Sequence, residues 1–273
     1  MGADALALAL AAACLHALWN LLIARAADPE AATAVALVAA ELVFAPVALA
    51  TWHVEAAALP FIVVSGLLEL AYIAMLAVAY VRVPLSIVYP VARGTAPVLV
   101  LLVSTAALGV RPSAAEAAGV LTVTAGVYLV RGIAGSLTPG SLGLPLAIAC
   151  TIAAYTLVDR AGIRHAAAVP YFELTGLFTL AYPAWLVHRR GLAAVRAEAG
   201  GAAVLAGTAM FGAYSLVLLA LRLAPPGPVA AVRESSVVIA TGFAGVVLGE
   251  RVSRLRLLGA ALVAAGVAML ALS

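Results

Sequence analysis

Five ionisable residues lie deep inside long apolar runs of the chain: Glu41, Glu69, Arg93, Arg233 and Glu234. A charge at the centre of a bilayer costs at least about 2.5 kcal/mol on insertion scales, so residues so placed are read first as functional. At about 1.5 Å of rise per helical residue, Arg93 lies about 12 Å into its run from one surface and Arg233 about 10 Å into its run from the other. Glu41 and Glu69 fall close to the level between them. A guanidinium stays charged at any working pH and can grip a carboxylate through two parallel hydrogen bonds. Arg93, and after it Arg233, therefore suits the negative end of an anionic or zwitterionic solute, with Glu69 or Glu234 as the resting partner of Arg93. The same charges could equally pair with one another and only hold a bundle together. A carboxyl at this depth that no guanidinium holds ionised could carry a coupling proton, and Glu69 and Glu41 are the candidates.

Aromatic and polar residues extend this set. His16, Trp19 and Asn20 recur at three- and four-residue spacing and so share one helix face. That face should turn inward, because His16 and Asn20 need hydrogen-bond partners that lipid does not offer. Tyr72, Tyr89, Tyr155 and Tyr214 are the other expected lining residues. Each alone is an ordinary buried polar residue, and only their joint inward placement would make a site. Pro90 and Pro97 interrupt the backbone bonding of the run that carries Arg93, which predicts a kink or hinge beside it. Trp52, Trp185 and Tyr182 fit interfacial anchors better.

The elements that must position these groups follow from composition. The chain of 273 residues is 66% hydrophobic and 10% charged, too little polar surface for a water-soluble globule of this size. A crossing takes roughly 20 apolar helical residues. Breaks at charged, Pro-rich and Gly-rich points give ten runs: Ala3 to Ala24, Glu30 to Thr51, Ala58 to Tyr80, Leu85 to Leu108, Ser113 to Val130, Leu144 to Val158, Ala168 to Val187, Ala202 to Leu221, Gly227 to Leu248 and Leu255 to Leu272. Their continuous Ala- and Leu-rich character fits helices, whereas membrane strands alternate apolar and polar residues. The expected fold is an all-α integral membrane protein of ten transmembrane helices, divided at the Gly, Ser and Pro connector from Ile133 to Gly143 into halves 1–134 and 135–273. Five helices per half give the halves opposite orientations and leave both termini on one side. The first run lacks a basic leader and is long for a signal-peptide core, so it reads as a retained helix. Cys14 and Cys150, inside apolar runs, read as small buried packers.

The two halves repeat. An ungapped shift of 140 residues superposes Arg82 on Arg222, Arg93 on Arg233, Arg111 on Arg251, Ser113 on Ser253, Gly119 on Gly259 and Gly126 on Gly266. Near the start of each half the offset is 136, with Cys14 on Cys150 and Trp19 on Tyr155. The segment Leu248-Gly249-Glu250-Arg251 with Leu258-Gly259-Ala260 and Ala265-Gly266-Val267 resembles the end of a repeat in the EamA family of the drug/metabolite transporter superfamily. Tyr89-Pro90-Val91-Ala92-Arg93-Gly94-Thr95-Ala96-Pro97 and Arg233-Glu234-Ser235-Ser236 do so as well. The resemblance covers nearly the whole chain and implies ten helices in two inverted five-helix repeats that work by alternating access. Val110 stands where the family often has the Glu of its Leu-Gly-Glu motif, which bears on a helix junction more than on transport. Relatives handle amino acids, other metabolites and toxic compounds, so the resemblance implies a carrier of small polar solutes, with export as the expected direction, and does not name the solute.

Other chemistries find less support. The four His residues show no ligand spacing, and the chain has no Lys for a phosphate-binding loop, so neither a metal site, a cofactor nor an enzyme is expected. The 15 basic residues, all Arg, are spread over the ends of runs, which argues against nucleic acid and for the bias of basic residues toward cytoplasmic loops. Nine of them fall in the loops after the odd-numbered runs and four in the opposite loops, which predicts both termini outside a cell (inner) membrane. The expected partners are the bilayer and a small-molecule substrate. A homodimer is open, as are a carrier of lipid-linked molecules, a non-transporting membrane protein and a membrane enzyme.

Overall fold

The computed structural model describes residues 1–273 except 84, 132–138, 241 and 243–252; of residues 77, 80, 81, 85, 86, 89, 131 and 139–141 it describes the backbone alone. The described chain is helical, with one isolated antiparallel bridge between Val54 and Ala166. The helices are α1 (Ala3–Ala24), α2 (Pro29–Ala50), α3 (Leu59–Arg82), α4 (Leu85–Leu108), α5 (Ala114–Arg131), α6 (Pro139–Gly162), α7 (Ala168–Thr179), α8 (Ala181–Arg190), α9 (Leu192–Arg196), α10 (Gly201–Leu223), α11 (Pro226–Arg233) and α12 (Arg254–Leu272). A short 3₁₀ turn, Ala56–Ala58, leads into α3. Seven helical stretches among the described residues are long and apolar enough to cross a membrane, and Ala114–Val130 is a shorter apolar one. Leu42, Leu49, Leu67, Leu102, Leu121 and Leu257 stand exposed on their outer faces, an arrangement that suits lipid and not water. The chain is a multi-pass helical membrane protein.

Local chemistry sets the helix ends. Asp28 caps α2 by accepting from the Ala31 N–H at 3.1 Å, and Pro29 occupies the first turn, where its missing N–H is not needed. Ser113 accepts from the Glu116 N–H at 3.1 Å while Glu116 accepts from the Ser113 N–H at 2.8 Å, a capping box that opens α5. Ser253, 140 residues on from Ser113, caps α12 through the Arg256 N–H at 3.3 Å. Hydroxyls that would otherwise meet lipid bond back to their own helix, as Thr122 does to Ala118 O and Thr151 to Ala147 O.

Three runs differ from their expected form. The sixth reaches Gly162, a turn beyond Val158, which draws Asp159 into the bundle. The seventh breaks between α7 and α8 at Leu180, where Pro183 has no N–H to offer the Thr179 carbonyl. The ninth stops at Arg233, turns through Glu234 and Ser235, and resumes as helix over 236–240; its remainder lies outside the described residues, as does most of the Ile133 to Gly143 connector. By contrast α4 passes both Pro90 and Pro97 without a break. Cys14 and Cys150 are free and exposed, not buried: each sits on an outer helix face where lipid supplies the apolar contact.

Packing pairs helices across the chain. α1 lies on α10 and α3 on α6; α2 contacts both α7 and α10; α4 contacts α6 and α11. α5 packs closely on α12, where backbones meet at glycines. A Cβ at Gly126 would come within 2.7 Å of Gly259 O, and one at Gly266 within 2.8 Å of Gly119 O. Only glycine permits that spacing. The contact is antiparallel, since Gly119 meets the later glycine of α12 and Gly126 the earlier. The chain ends meet too: the Met1 ammonium donates to Leu270 O at 3.0 Å and to Ser273 O at 2.5 Å, which puts both termini at one end of the bundle.

Candidate functional site

The helices surround a cavity of about 560 Å³, most of whose wall is apolar. It reaches the surface between the end of α1 and the start of α2, where Ala24, Pro29 and Glu30 are exposed. Arg190 of α8 pairs there with Asp28 at 2.5 Å and Glu30 at 2.9 Å. The Asp28 carboxyl is held below its ordinary range, mainly by the Ala31 N–H and, against the opposing effect of burial, by Arg190. Tyr182, expected as an interfacial anchor, lines this mouth as well as stacking near Trp185, because the break after α7 turns α8 toward α2. At its inner end the cavity stops at Ala12 and Val217. Below that level Ala9, Ile62, Ile163, Leu218 and Leu221 belong to one buried apolar cluster. Loops 51–58 and 163–167 cross beneath it, with Ala167 N–H donating to His53 O at 2.7 Å and Glu55 N–H to His165 O at 2.9 Å. Arg222 donates to the carbonyls of Ile163 and Ala166, and Arg160 to that of Leu221, so the last turns of α6 and α10 are stitched together. Among the described residues, one end is open and the other is closed by apolar packing.

Of the residues singled out from the sequence, His16, Trp19, Asn20, Glu41, Glu69, Tyr72, Arg93, Tyr155, Tyr214 and Arg233 all line this cavity. The Tyr89 side chain lies outside the described residues. Glu234 is behind the wall and wholly buried. Its Oε1 lies 3.5 Å from an Arg93 nitrogen and 3.6 Å from an Arg233 nitrogen. At those separations the attraction is ionic, and neither Glu234 oxygen makes a hydrogen bond among the described residues. Of the two expected partners of Arg93, Glu234 stands within ion-pair distance of it. The break in the ninth run makes this possible: the turn at Glu234 and Ser235 aims consecutive side chains, Arg233 and Glu234, at one point. Two guanidiniums converge on one carboxylate. Arg93 also donates to His16 Nε2, and Trp19 Nε1 lies 3.3 Å from His16 Nδ1. Asn20 satisfies itself on its own helix by donating to His16 O at 2.7 Å.

A second polar layer was not singled out from the sequence. Asp159 is fully buried beneath the cavity floor, and its two oxygens accept from the hydroxyls of Tyr171, at 2.9 Å, and of Tyr214. Glu69 lies within electrostatic reach of it. Glu173 of α7 faces Glu41 of α2, close enough for their carboxyls to interact. Gly176 makes room there, since a Cβ on it would strike the Glu41 carboxyl. The rings of Tyr72, Tyr155 and Tyr214 run edge to face along the wall at centroid distances of 6.2 and 5.9 Å.

The fold itself is shared with a solved structure. That structure, described only as "Crystal structure of protein", superposes with a TM-score of 0.77 at 21% identity, over 100% of this chain and 98% of the other. No family model and no curated protein matches the chain. The likeness speaks for the architecture alone.

Proposed function

We propose that the chain is a carrier of small carboxylate-bearing solutes, amino-acid-like in the first instance, that works by alternating access as a member of the EamA family. The observation that carries this reading is the pair Arg93 and Arg233 converging on the Glu234 carboxylate at the wall of the cavity. A guanidinium at an apolar cavity wall is stabilised by an entering carboxylate, and the planar fork suits it. The tyrosines and Ile148, Ile152 and Phe172 offer the rest of the solute an apolar surface. Glu69 and Glu41 are the candidate proton sites in this scheme.

Ten spans in two inverted halves belong to the proposal. The neighbour pattern supports it: an exchange of halves turns the pair α1 and α10 into α6 and α3, and the contact of α2 with α10 into that of α7 with α3. The glycines do the same, because the positions matched by the 140-residue shift meet reciprocally, Gly119 with Gly266 and Gly126 with Gly259. In such folds the solute site lies near the midplane, where the halves meet. With both termini outside the inner membrane, the mouth beside Glu30 faces the cytoplasm, the side from which an exporter loads.

The test is uptake by reconstituted vesicles of a panel of amino acids and their carboxamides, with and without a pH gradient, by the wild-type chain and Arg93→Ala. Carboxylates carried by the wild type alone support the reading. Equal transport of acids and amides, or transport untouched by Arg93→Ala, removes it.

A further inference from the structure

The closed end of the cavity and its mouth are built from corresponding parts of the chain. The connector 163–167 joins α6 to α7 as 25–28 joins α1 to α2. A shift of 140 residues carries the connector 51–58, between α2 and α3, onto 191–198, between α8 and α10. Exchange of the halves therefore turns the pair 51–58 and 163–167, at the closed end, into the pair 191–198 and 25–28, at the mouth.

The two pairs are joined in different ways. At the closed end backbone meets backbone. Val54 and Ala166 face each other in the antiparallel bridge, flanked by the bonds from Ala167 N–H to His53 O at 2.7 Å and from Glu55 N–H to His165 O at 2.9 Å. His165 Nδ1 stands 3.0 Å from the Glu55 carboxylate, and its ring lies parallel to that of Phe61 on α3, with 6.3 Å between centroids. Ile163 and Ala166 are buried, and Arg222 of α10 donates to both their carbonyls. At the mouth the link is made through side chains: Arg190, at the end of α8, reaches Asp28 and Glu30, and Glu198 accepts from the Asp28 N–H at 2.9 Å. Among the described residues no backbone bond joins 25–28 to 191–198. An arginine spans a separation that a backbone bond of about 2.9 Å does not. Equivalent connectors are thus drawn together at one end and held apart at the other.

We infer that the connectors 51–58 and 163–167 are the gate at the closed end, a backbone clasp between the halves that parts when a solute leaves there. The inference rests on the carrier reading with its two inverted halves and adds to it the place where the barrier yields. The clasp is short and lies at the surface, with His53 and Glu55 exposed. Its backbone bonds and its His165–Glu55 contact can therefore be exchanged for bonds to water, and parting it breaks no helix.

The experiment uses the full-length chain in vesicles, with Cys14 and Cys150 replaced by Ala and labelled leucine as the probe. Val54 and Ala166 exchange no bond of their own, and facing pairs of that kind bring their Cα atoms to about 4.5 Å, within reach of a disulfide. In Val54→Cys/Ala166→Cys, oxidation should abolish leucine exchange in the cross-linked fraction, and a reductant should restore it. His53→Cys/Ala167→Cys, the next facing pair, should behave in the same way, so that a folding defect in one variant does not decide the result. Each single Cys variant should exchange leucine equally with and without oxidant. Calorimetry in detergent should find leucine binding to the cross-linked protein unchanged, because the mouth is left open. Exchange at the same rate in the oxidised and reduced forms of both pairs overturns the gate while leaving the Arg93 site standing. Binding lost along with exchange overturns it too, since the cross-link then acts on the site and not on a barrier. If the wild-type chain carries neither leucine nor any other amino acid, the carrier reading fails and this inference with it.

Discussion

At the scale of single residues, two kinds of buried polar group behave differently under substitution. Arg93 is shared between Glu234 and the cavity, so Arg93→Lys keeps the charge and loses the planar fork: transport should weaken while the melting temperature holds. Arg93→Ala should abolish transport and also destabilise the chain, by up to about 3 kcal/mol, because the buried Glu234 then loses one of the two guanidiniums beside it. Thermal melts of the purified variants check the second part. Asp159 contacts no guanidinium among the described residues and holds two tyrosine hydroxyls, so Asp159→Leu should cost about 1–3 kcal/mol for each hydroxyl left unpaired, whereas Asp159→Asn should cost less. The cavity-lining residues were legible in the sequence because a charge or a His amid twenty apolar residues stands out. Asp159 was not, because Arg160 follows it directly and the pair reads as the flank of a helix that in fact continues another turn. Glu173 passes for a boundary residue in the same way, close to the start of its run, and only the fold brings it against Glu41.

At the scale of elements, the α5 and α12 seam depends on the absence of side chains. Gly126→Leu places carbon where Gly259 O and Val263 stand at 2.7 Å, and overpacking of this kind should destabilise by about 1–3 kcal/mol, visible as a lower melting temperature. The repeat made these glycines visible in the sequence, but not that they face one another, since a 140-residue shift says which positions are equivalent and nothing about contact. The α2 cap carries a pH dependence. The Asp28 carboxyl is stabilised in its ionised form in the folded chain, so its contribution is complete above its unfolded value of about 3.9 and disappears as pH falls through its lower folded value. Asp28→Asn keeps a capping oxygen and loses the charge facing Arg190, so the melting difference between it and wild type should be seen near neutral pH, shrink as pH falls below about 3.9 and vanish only once pH is below the lower folded value. The breaks after Thr179 and Arg233 were not legible. Pro183 marks one, but Pro90 and Pro97 leave α4 unbroken, so proline alone does not decide which helix breaks; packing does.

At the scale of the molecule, composition alone showed a helical membrane protein, since apolar runs of this length have no other stable form in lipid. What it could not show is which end of the cavity is sealed, because that depends on small residues such as Ala9 packing under Leu218 and Leu221, in a chain where Ala and Leu are everywhere. The topology is tested by a single Cys introduced near Ser273 after the exposed Cys14 and Cys150 are replaced. Labelling by an impermeant thiol reagent on intact cells is the expected result, and labelling only after lysis would reverse the orientation of the mouth. The central claim, that a carboxylate-bearing solute is carried across at Arg93, is tested most directly by exchange in reconstituted vesicles. Preloading with an unlabelled transported amino acid should accelerate entry of the labelled one, and Arg93→Ala should abolish both the entry and the acceleration. Entry that ignores the preload and persists in Arg93→Ala would contradict a carrier with its site at Arg93.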